Sequence, residues 1–298
     1  MQLRGTTIDD TFAEAFRMRF VRLVITAHDE HWLDAALREF TGYSSSIIAC
    51  DAEIGLERRL AADETPDGRV GAAALVFGFS PESLAKVVPN RAGQCVMTCP
   101  TTAVYDGLSA GEARIPLGKT IRYFGDGFQK SKLVAGRRYW RIPVMDGEFL
   151  IEDRVHVEKG VAGGNIIVQA ETLTGALGAV RRAVAAIAEV PGVITPFPGG
   201  SARSGSKVGS RYKALKASTS EAFCPTLRGR VESKLFERAN YAYEIVIDGV
   251  DEHRVAAAMA TGIQAAAGPE TLAITAGNYG GKLGKFHFRL HDLLAGQG

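Results

Sequence analysis

The chain is poor in the features that most directly mark a class of protein. Four cysteines in 298 residues do not make a disulfide framework. Neither charge sign dominates. The 35 Lys+Arg and 33 Asp+Glu leave a net charge of +2, so no global field draws the chain to nucleic acid or to a membrane. Long hydrophobic runs are missing: the alanine-rich stretch 173–190 is broken by Arg181, Arg182 and Glu189 and cannot span a bilayer. The N-terminal MQLRGTTIDDTFAEAF has no apolar core of the signal-peptide kind, and the expected compartment is the cytoplasm. Phosphate and nucleophile motifs are also missing. There is no G-x-x-x-x-G-K-[ST], no G-x-G-x-x-G after a strand and no G-x-S-x-G.

What is present is glycine in clusters. TAGNYGGKLGKF (275–286) has four glycines within eight residues, among them Gly280 and Gly281, with Asn278 and Lys282 as an amide and a cation. TPFPGGSARSGSKVGS (195–210) has the same character, with Gly199, Gly200, Arg203, Ser206 and Lys207. Glycine lets the backbone turn sharply and approach another molecule closely. Two such loops are either a binding surface lined by backbone amides or two flexible connections.

The order of elements repeats. In the first half, strands are expected at 21–27, 46–50, 71–79 and 95–101. One helix is capped by Asp29 and ended by Gly42; another is capped by Ser80 with Pro81 at its first position. In the second half, strands are expected at 165–170, 193–197, 241–248, 272–276 and 286–290. Helices open at Thr172, with a stripe of Leu173, Leu177, Val180, Val184 and Ile187, and at Asp251. Each half reads β-α-β-β-α-β. The expected class is therefore α+β: two duplicated ferredoxin-like lobes, residues 1–112 and 161–298, with a β-rich segment, 113–160, between them. That segment is locally basic, through Arg114, Lys119, Arg122, Lys130, Lys132, Arg137, Arg138 and Arg141. It is a solvated face or a landing strip for an anion.

No metal site is expected. Cys95 and Cys99, and His287 and His291, stand four apart in expected strands, about 13 Å at roughly 3.3 Å per residue. That is too far for one tetrahedral ion. His28 and His31 lack a further ligand cluster. Glu244 is the most informative carboxylate. It lies in mid-strand in YAYEIVID, on the face of Ala242 and Val246. Aligning Asp251 with Ser80 sets it against Ala73, so only the second lobe carries an acid there. It is either partly desolvated, with a raised pKa, or an exposed or ion-paired strand residue.

These residues also carry a resemblance. DDTFAEAF, GQCVMTCPT, FGDGFQ, IPVMDGEFLIED, GVAGGN, PFPGG, SKVGS, ASTSEAFCPT, YEIVIDG and AGNYGGKLGK occur in one order along nearly the whole chain. The ordered set resembles the formylmethanofuran:tetrahydromethanopterin formyltransferase family. The resemblance implies formyl transfer between the amine of a methanofuran and N5 of tetrahydromethanopterin. Both carriers are then substrates, with no tightly bound cofactor and no metal. It places Glu244 near the reacting formyl group as acid/base, with Asn278 as an amide donor to the oxyanion. Ser206, Lys207, Arg203, Gly199, Gly200, Gly280, Gly281 and Lys282 become substrate-binding residues, the cations toward a glutamyl tail. It implies a homo-oligomer, a complex with a formylmethanofuran hydrolase, or both. The slightly basic composition sets the chain apart from strongly acidic, salt-adapted archaeal members. It suits a bacterial member, in which flow would run toward formate. A non-catalytic scaffold or ligand-binding subunit of a one-carbon complex is the competing class.

Overall fold

Helix starts follow the capping chemistry expected of the sequence. Asp29 accepts a hydrogen bond from Trp32 N at 3.2 Å and opens the Glu30–Thr41 helix, which ends at Gly42. Ser80 accepts from Ser83 N at 3.3 Å and opens Pro81–Arg91, with Pro81 where a missing N–H costs nothing. Thr172 opens Leu173–Ala188 and Asp251 opens Glu252–Ala266 by the same kind of bond, at 3.1 and 2.8 Å. The computed structural model describes residues 1–296. They form a mixed α/β protein whose strands pair mostly antiparallel. Parallel pairs occur where Leu150 meets Ala103 and where Ala273 meets Thr7.

The chain divides into two compact units, Met18–Gly160 and Met1–Arg17 with Val161–Gly298. In the first, Gly71–Gly78 lies between Glu53–Leu60 and the 19–26 part of the Phe12–Thr26 strand, and Ala103–Asp106 pairs on the far side of the latter. In the second, Tyr241–Gly249 lies between Val193–Ile194 and the 161–170 part of the Arg154–Ala170 strand, and Ala273–Thr275 pairs on the far side. The pairing order is the same in both. Each unit has its own apolar core, around Leu33, Phe40, Ile54 and Phe149 in one and around Ile166, Ile245, Ile247 and Met259 in the other.

Several expectations change. Residues 46–50 form a turn, with Ala49 N and Cys50 N both donating to Ser46 O, and the strand follows at Glu53–Leu60. Residues 95–101 are not a strand either. The Pro81–Arg91 helix runs on into a π-helical segment, Ala92–Met97, and the strand is Ala103–Asp106. Short apolar runs do not distinguish strand from buried helix. The strand-spacing argument therefore does not apply to Cys95 and Cys99. Cys99 Sγ instead donates to Trp32 O at 3.3 Å. His291 likewise lies in a helix, Leu290–Ala295, and its ring contacts Ile8 O. Among the described residues no group of three or more His, Cys, Asp or Glu could hold a metal ion.

The Leu173–Ala188 stripe is also shifted. Leu173 is exposed, and Ala176, Ala179, Val180, Ala183 and Ile187 face the core. Segment 113–160 has the expected hairpin strands, Lys130–Val134, Arg137–Val144 and Gly147–Glu152. It belongs to the first unit, because Ile115, Ile142, Phe149 and Ile151 complete that core. Residues 1–17 go with the second unit, where Thr6–Ile8 pairs with Ala273–Thr275 and residues 12–15 pair with Phe286–Arg289.

Gly164, in the GVAGGN run, shows what small residues do here. A Cβ on it would overlap Val255 Cγ1 on the Glu252–Ala266 helix. Gly164→Ala should destabilise the protein by about 1–3 kcal/mol, the usual cost of overpacking. The check is the urea midpoint; an unchanged midpoint would show that helix and strand adjust without strain.

Candidate active site

Glu244 sits in mid-strand opposite Ile167, with Ile245 and Ile247 pointing into the core of the unit. Only 5% of its surface is exposed. Its backbone carbonyl accepts from Ala202 N at 2.8 Å and from Ser201 Oγ at 3.1 Å, which lays the first glycine-rich loop along the strand. The loop then turns at Gly205, in left-handed conformation (φ 72°), where a Cβ would collide with Ser220. That turn brings Ser206 onto the carboxyl group. Ser206 N donates to Oε2 at 2.6 Å and Ser206 Oγ to Oε1 at 2.8 Å. Among the described residues Glu244 has no ion-pair partner. Burial raises its pKa above the ordinary Glu value, and the two Ser206 bonds only partly oppose this.

The second loop approaches the same carboxyl group. Asn165 Oδ1 accepts from Gly277 N at 2.6 Å, and its Nδ2 donates to Gly277 O at 3.1 Å and Gly163 O at 3.2 Å. This fixes Gly277 where a Cβ would stand 3.3 Å from Asn165 Oδ1 and 3.6 Å from Glu244 Oε1. Glycine there keeps the flank of the carboxyl group unobstructed. Further on, Tyr279 reaches the first loop. Its hydroxyl accepts from Val208 N at 2.9 Å and donates to Ser206 O at 3.3 Å.

A second buried acid organises the loop. Glu14 lies on the strand paired with Phe286–Arg289 and is 1% exposed. Tyr279 N and Gly281 N donate to its Oε2 at 2.8 and 2.9 Å; Leu283 N, at 2.6 Å, and Gly284 N donate to its Oε1. Left-handed Gly280 and Gly281 (φ 70° and 74°) permit this convergence. Burial acts to raise the Glu14 pKa, but the backbone donors outweigh it, Gly284 foremost, and the pKa lies below the ordinary value. Backbone amides that the sequence offers to an incoming anion are thus engaged by the protein's own carboxylate.

The expected site residues separate on this frame. Glu244 and Ser206 come together, beside Gly205 and Gly277, which were not among the expected site residues. Asn278 Nδ2 donates to Thr11 Oγ1 at 3.2 Å and Phe12 O at 3.0 Å, and its Oδ1 accepts from Gly280 N at 3.1 Å. Lys207 is ion-paired with Glu221. Arg203 and Lys282 are exposed. Gly199 is exposed with open space around it, whereas Gly200 is buried against Val184. Gly281 has a half-buried position against His287 and Gly280 an exposed one. In the other unit, Arg137 pairs with Glu152 and Arg141 with Glu148, so part of the basic segment is neutralised internally. Sequence reasoning missed Glu14, Tyr279 and Asn165. Glu14 carried a signal of the Glu244 kind: a lone acid between alanines in a strand.

Glu14→Gln replaces an oxygen that accepts by an NH2 group facing N–H donors. The expected loss is about 3 kcal/mol, from one or two buried donors left unsatisfied at about 1–3 kcal/mol each. The pH sign follows from the lowered pKa. The contribution of Glu14 is present above about pH 4.3, the unfolded value, and disappears as pH falls through the folded pKa. Wild-type urea midpoints should therefore fall on acidification more than those of Glu14→Gln. Parallel curves would show that the amide nest contributes no such linkage.

The model of the formylmethanofuran-tetrahydromethanopterin formyltransferase family matches residues 1–144, and that of its proximal lobe matches residues 147–293. The formylmethanofuran–tetrahydromethanopterin formyltransferase of Methylococcus capsulatus is 51% identical over 99% of this chain and 100% of its own length. That of Methanosarcina mazei is 46% identical over 98% and 100%. The solved Methanosarcina barkeri formyltransferase superposes with a TM-score of 0.93 at 44% identity, covering 98% of this chain and 100% of that one. A chain of the formyltransferase/hydrolase complex of Methylorubrum extorquens, solved with methylofuran, gives 0.95 at 45% identity, covering 99% and 98%. The chain belongs to the formylmethanofuran–tetrahydromethanopterin formyltransferase family.

Proposed function

We propose that this chain transfers a formyl group between a methanofuran-type amine and N5 of tetrahydromethanopterin, with Glu244 as the proton-transfer group. The observation that carries this is a buried, un-ion-paired carboxyl group held by one serine beside a glycine that leaves its flank open. It also favours an enzyme over a scaffold subunit, because burying such a group costs stability that packing alone would not justify. The shared pairing order of the two units supports a duplicated ferredoxin-like lobe as their common origin.

The chemistry is an exchange between two nitrogens. The incoming nitrogen bonds the formyl carbon, the carbonyl oxygen takes up negative charge, and the old C–N bond breaks. The proton lost by the first nitrogen ends on the second. One carboxyl group can complete that exchange if it starts neutral and returns to neutral. Ser206 suits this role. Its N–H is a fixed donor to Oε2, while its hydroxyl can donate to or accept from Oε1 as the proton comes and goes. Asn278, with both amide hydrogens engaged, sets the loop in this reading. Both carriers act as substrates.

Arg203 and Lys282 are the proposed contacts for an anionic carrier tail, because both are exposed and the neighbouring Lys207 is already paired with Glu221. The proposed setting is a homo-oligomer, or a complex with a hydrolase of the kind solved from Methylorubrum extorquens. The exposed Tyr123, Phe124 and Phe128 offer apolar surface for such contacts. The proposed compartment is the cytoplasm. No helix among the described residues is long and apolar enough to cross a membrane, and all four cysteines are unbridged.

Glu244→Gln should lower kcat about 10²- to 10⁴-fold with little change in folding, the usual loss of general acid/base help. Wild-type kcat should fall as pH rises through an ionisation above the roughly 4.3 of ordinary Glu, since the neutral form is the working one. Gln should remove that limb. Near-normal kcat in Glu244→Gln would leave Glu244 a merely structural residue.

Lys282→Ala should raise KM for the carboxylate-bearing carrier more than it lowers kcat, since remote charge contacts supply uniform binding. The effect should shrink with salt, as exposed charges are screened over about 8 Å at physiological ionic strength. A KM effect that ignores salt would place the tail elsewhere.

A further inference from the structure

Ser206 is the only hydrogen-bonding partner that the described residues give the Glu244 carboxyl group. What holds Ser206 therefore decides where that carboxyl group points. Along the chain, the backbone of residues 206–208, after left-handed Gly205, is tied in two ways beside the Lys207–Glu221 ion pair. One is the short ladder of Lys207–Val208 with Ala217–Ser218. The other is Tyr279. Its hydroxyl accepts from Val208 N at 2.9 Å and donates to Ser206 O at 3.3 Å. One phenol oxygen thus occupies the place of a neighbouring strand, satisfying a donor and an acceptor on either side of Lys207.

Tyr279 is itself held at three points. Its N–H donates to Glu14 Oε2 at 2.8 Å, its ring meets Phe16 at a centroid distance of 6.3 Å, and Asn278 Oδ1 accepts from Gly280 N, closing the turn that contains it. The rigid second loop thereby fixes the position of the first.

We propose that Tyr279 is a positioning residue for Glu244: its hydroxyl clamps the Ser206–Val208 segment, and through Ser206 it sets the orientation of the carboxyl group. This rests on Glu244 as the proton-transfer group. The hydroxyl does not take part in the proton exchange, because both of its hydrogen-bonding directions are used by backbone. The charged groups around it keep that assignment. Burial, first, raises the Tyr279 pKa; the Val208 N–H bond opposes this, the nearby Glu244 and Glu14 carboxyls add to it, and the net shift is upward, so the phenol stays neutral, while Lys207 is ion-paired with Glu221.

Tyr279→Phe removes only the hydroxyl and keeps the ring against Phe16 and the backbone bond to Glu14. We expect kcat to fall about three- to tenfold, the scale of one hydrogen bond. KM for both carriers should change little, and the thermal midpoint should stay near that of the wild type. The ionisation that controls kcat should move to higher pH, because the Ser206 donors favour ionised Glu244 and their hold has loosened. The decisive readout is a double-mutant cycle. In a Glu244→Gln background, Tyr279→Phe should have no further effect on kcat.

Additive losses in the cycle, an unmoved pH profile or an unchanged kcat in Tyr279→Phe would overturn the inference while Glu244→Gln stays impaired. Should the single variant melt well below the wild type, Ser206→Ala supplies the same test. It removes the hydroxyl bond to Oε1, and it should shift the ionisation upward and be non-additive with Tyr279→Phe. Additivity there also overturns the clamp. Full activity of Glu244→Gln, by contrast, would remove the reading on which the inference rests.

Discussion

Burying a carboxylate strips its hydration, and the protein must either replace the lost donors or let the group take a proton. The unit carrying the site shows both outcomes, at Glu14 and at Glu244. Glu14 receives four backbone N–H groups and is stabilised as an anion. Glu244 receives two donors from a single serine and is pushed toward its neutral form. The two acids have opposite pH signs. Glu14 adds stability above its pKa range, whereas ionising Glu244 removes stability as pH rises through its raised pKa. The first builds the loop; the second is the group proposed to exchange protons.

The glycines of the second loop follow from the same constraint. Amides from four residues converge on one carboxyl group only if the backbone between them enters left-handed conformation, as Gly280 and Gly281 do. Once formed, that nest is stiff. Asn165 ties its entry at Gly277 and Tyr279 projects from it toward the first loop. The amides of this glycine-rich run are therefore engaged mainly in holding the loop on Glu14.

Much of the frame was legible in the sequence because it was written in local chemistry. Asp29, Ser80, Thr172 and Asp251 each cap the helix expected of them, since capping needs only a side-chain oxygen and three following residues. Glu244 was legible as an acid in mid-strand among apolar neighbours. Residues 46–50 and 95–101 were misread because short apolar runs carry no period that separates strand from helix. The partners of Asn278 and Lys207 were not legible. An amide or a cation in a polar loop looks available until the partner distant in sequence, Thr11 and Phe12 or Glu221, is seen beside it. Glu14 was hidden for the same reason: its partners lie more than 260 residues away.

If Glu244 is the proton-transfer group, burial must keep its carboxyl group protonated at pH values where a free Glu is ionised, while Glu14, with its lowered pKa, is ionised there. Difference infrared spectroscopy of wild type against Glu244→Gln tests it directly. The expected result is a protonated carboxyl band, lost in the variant, that persists above about pH 4.3, the value near which a free Glu titrates. A difference spectrum showing only ionised carboxylate at neutral pH would contradict it.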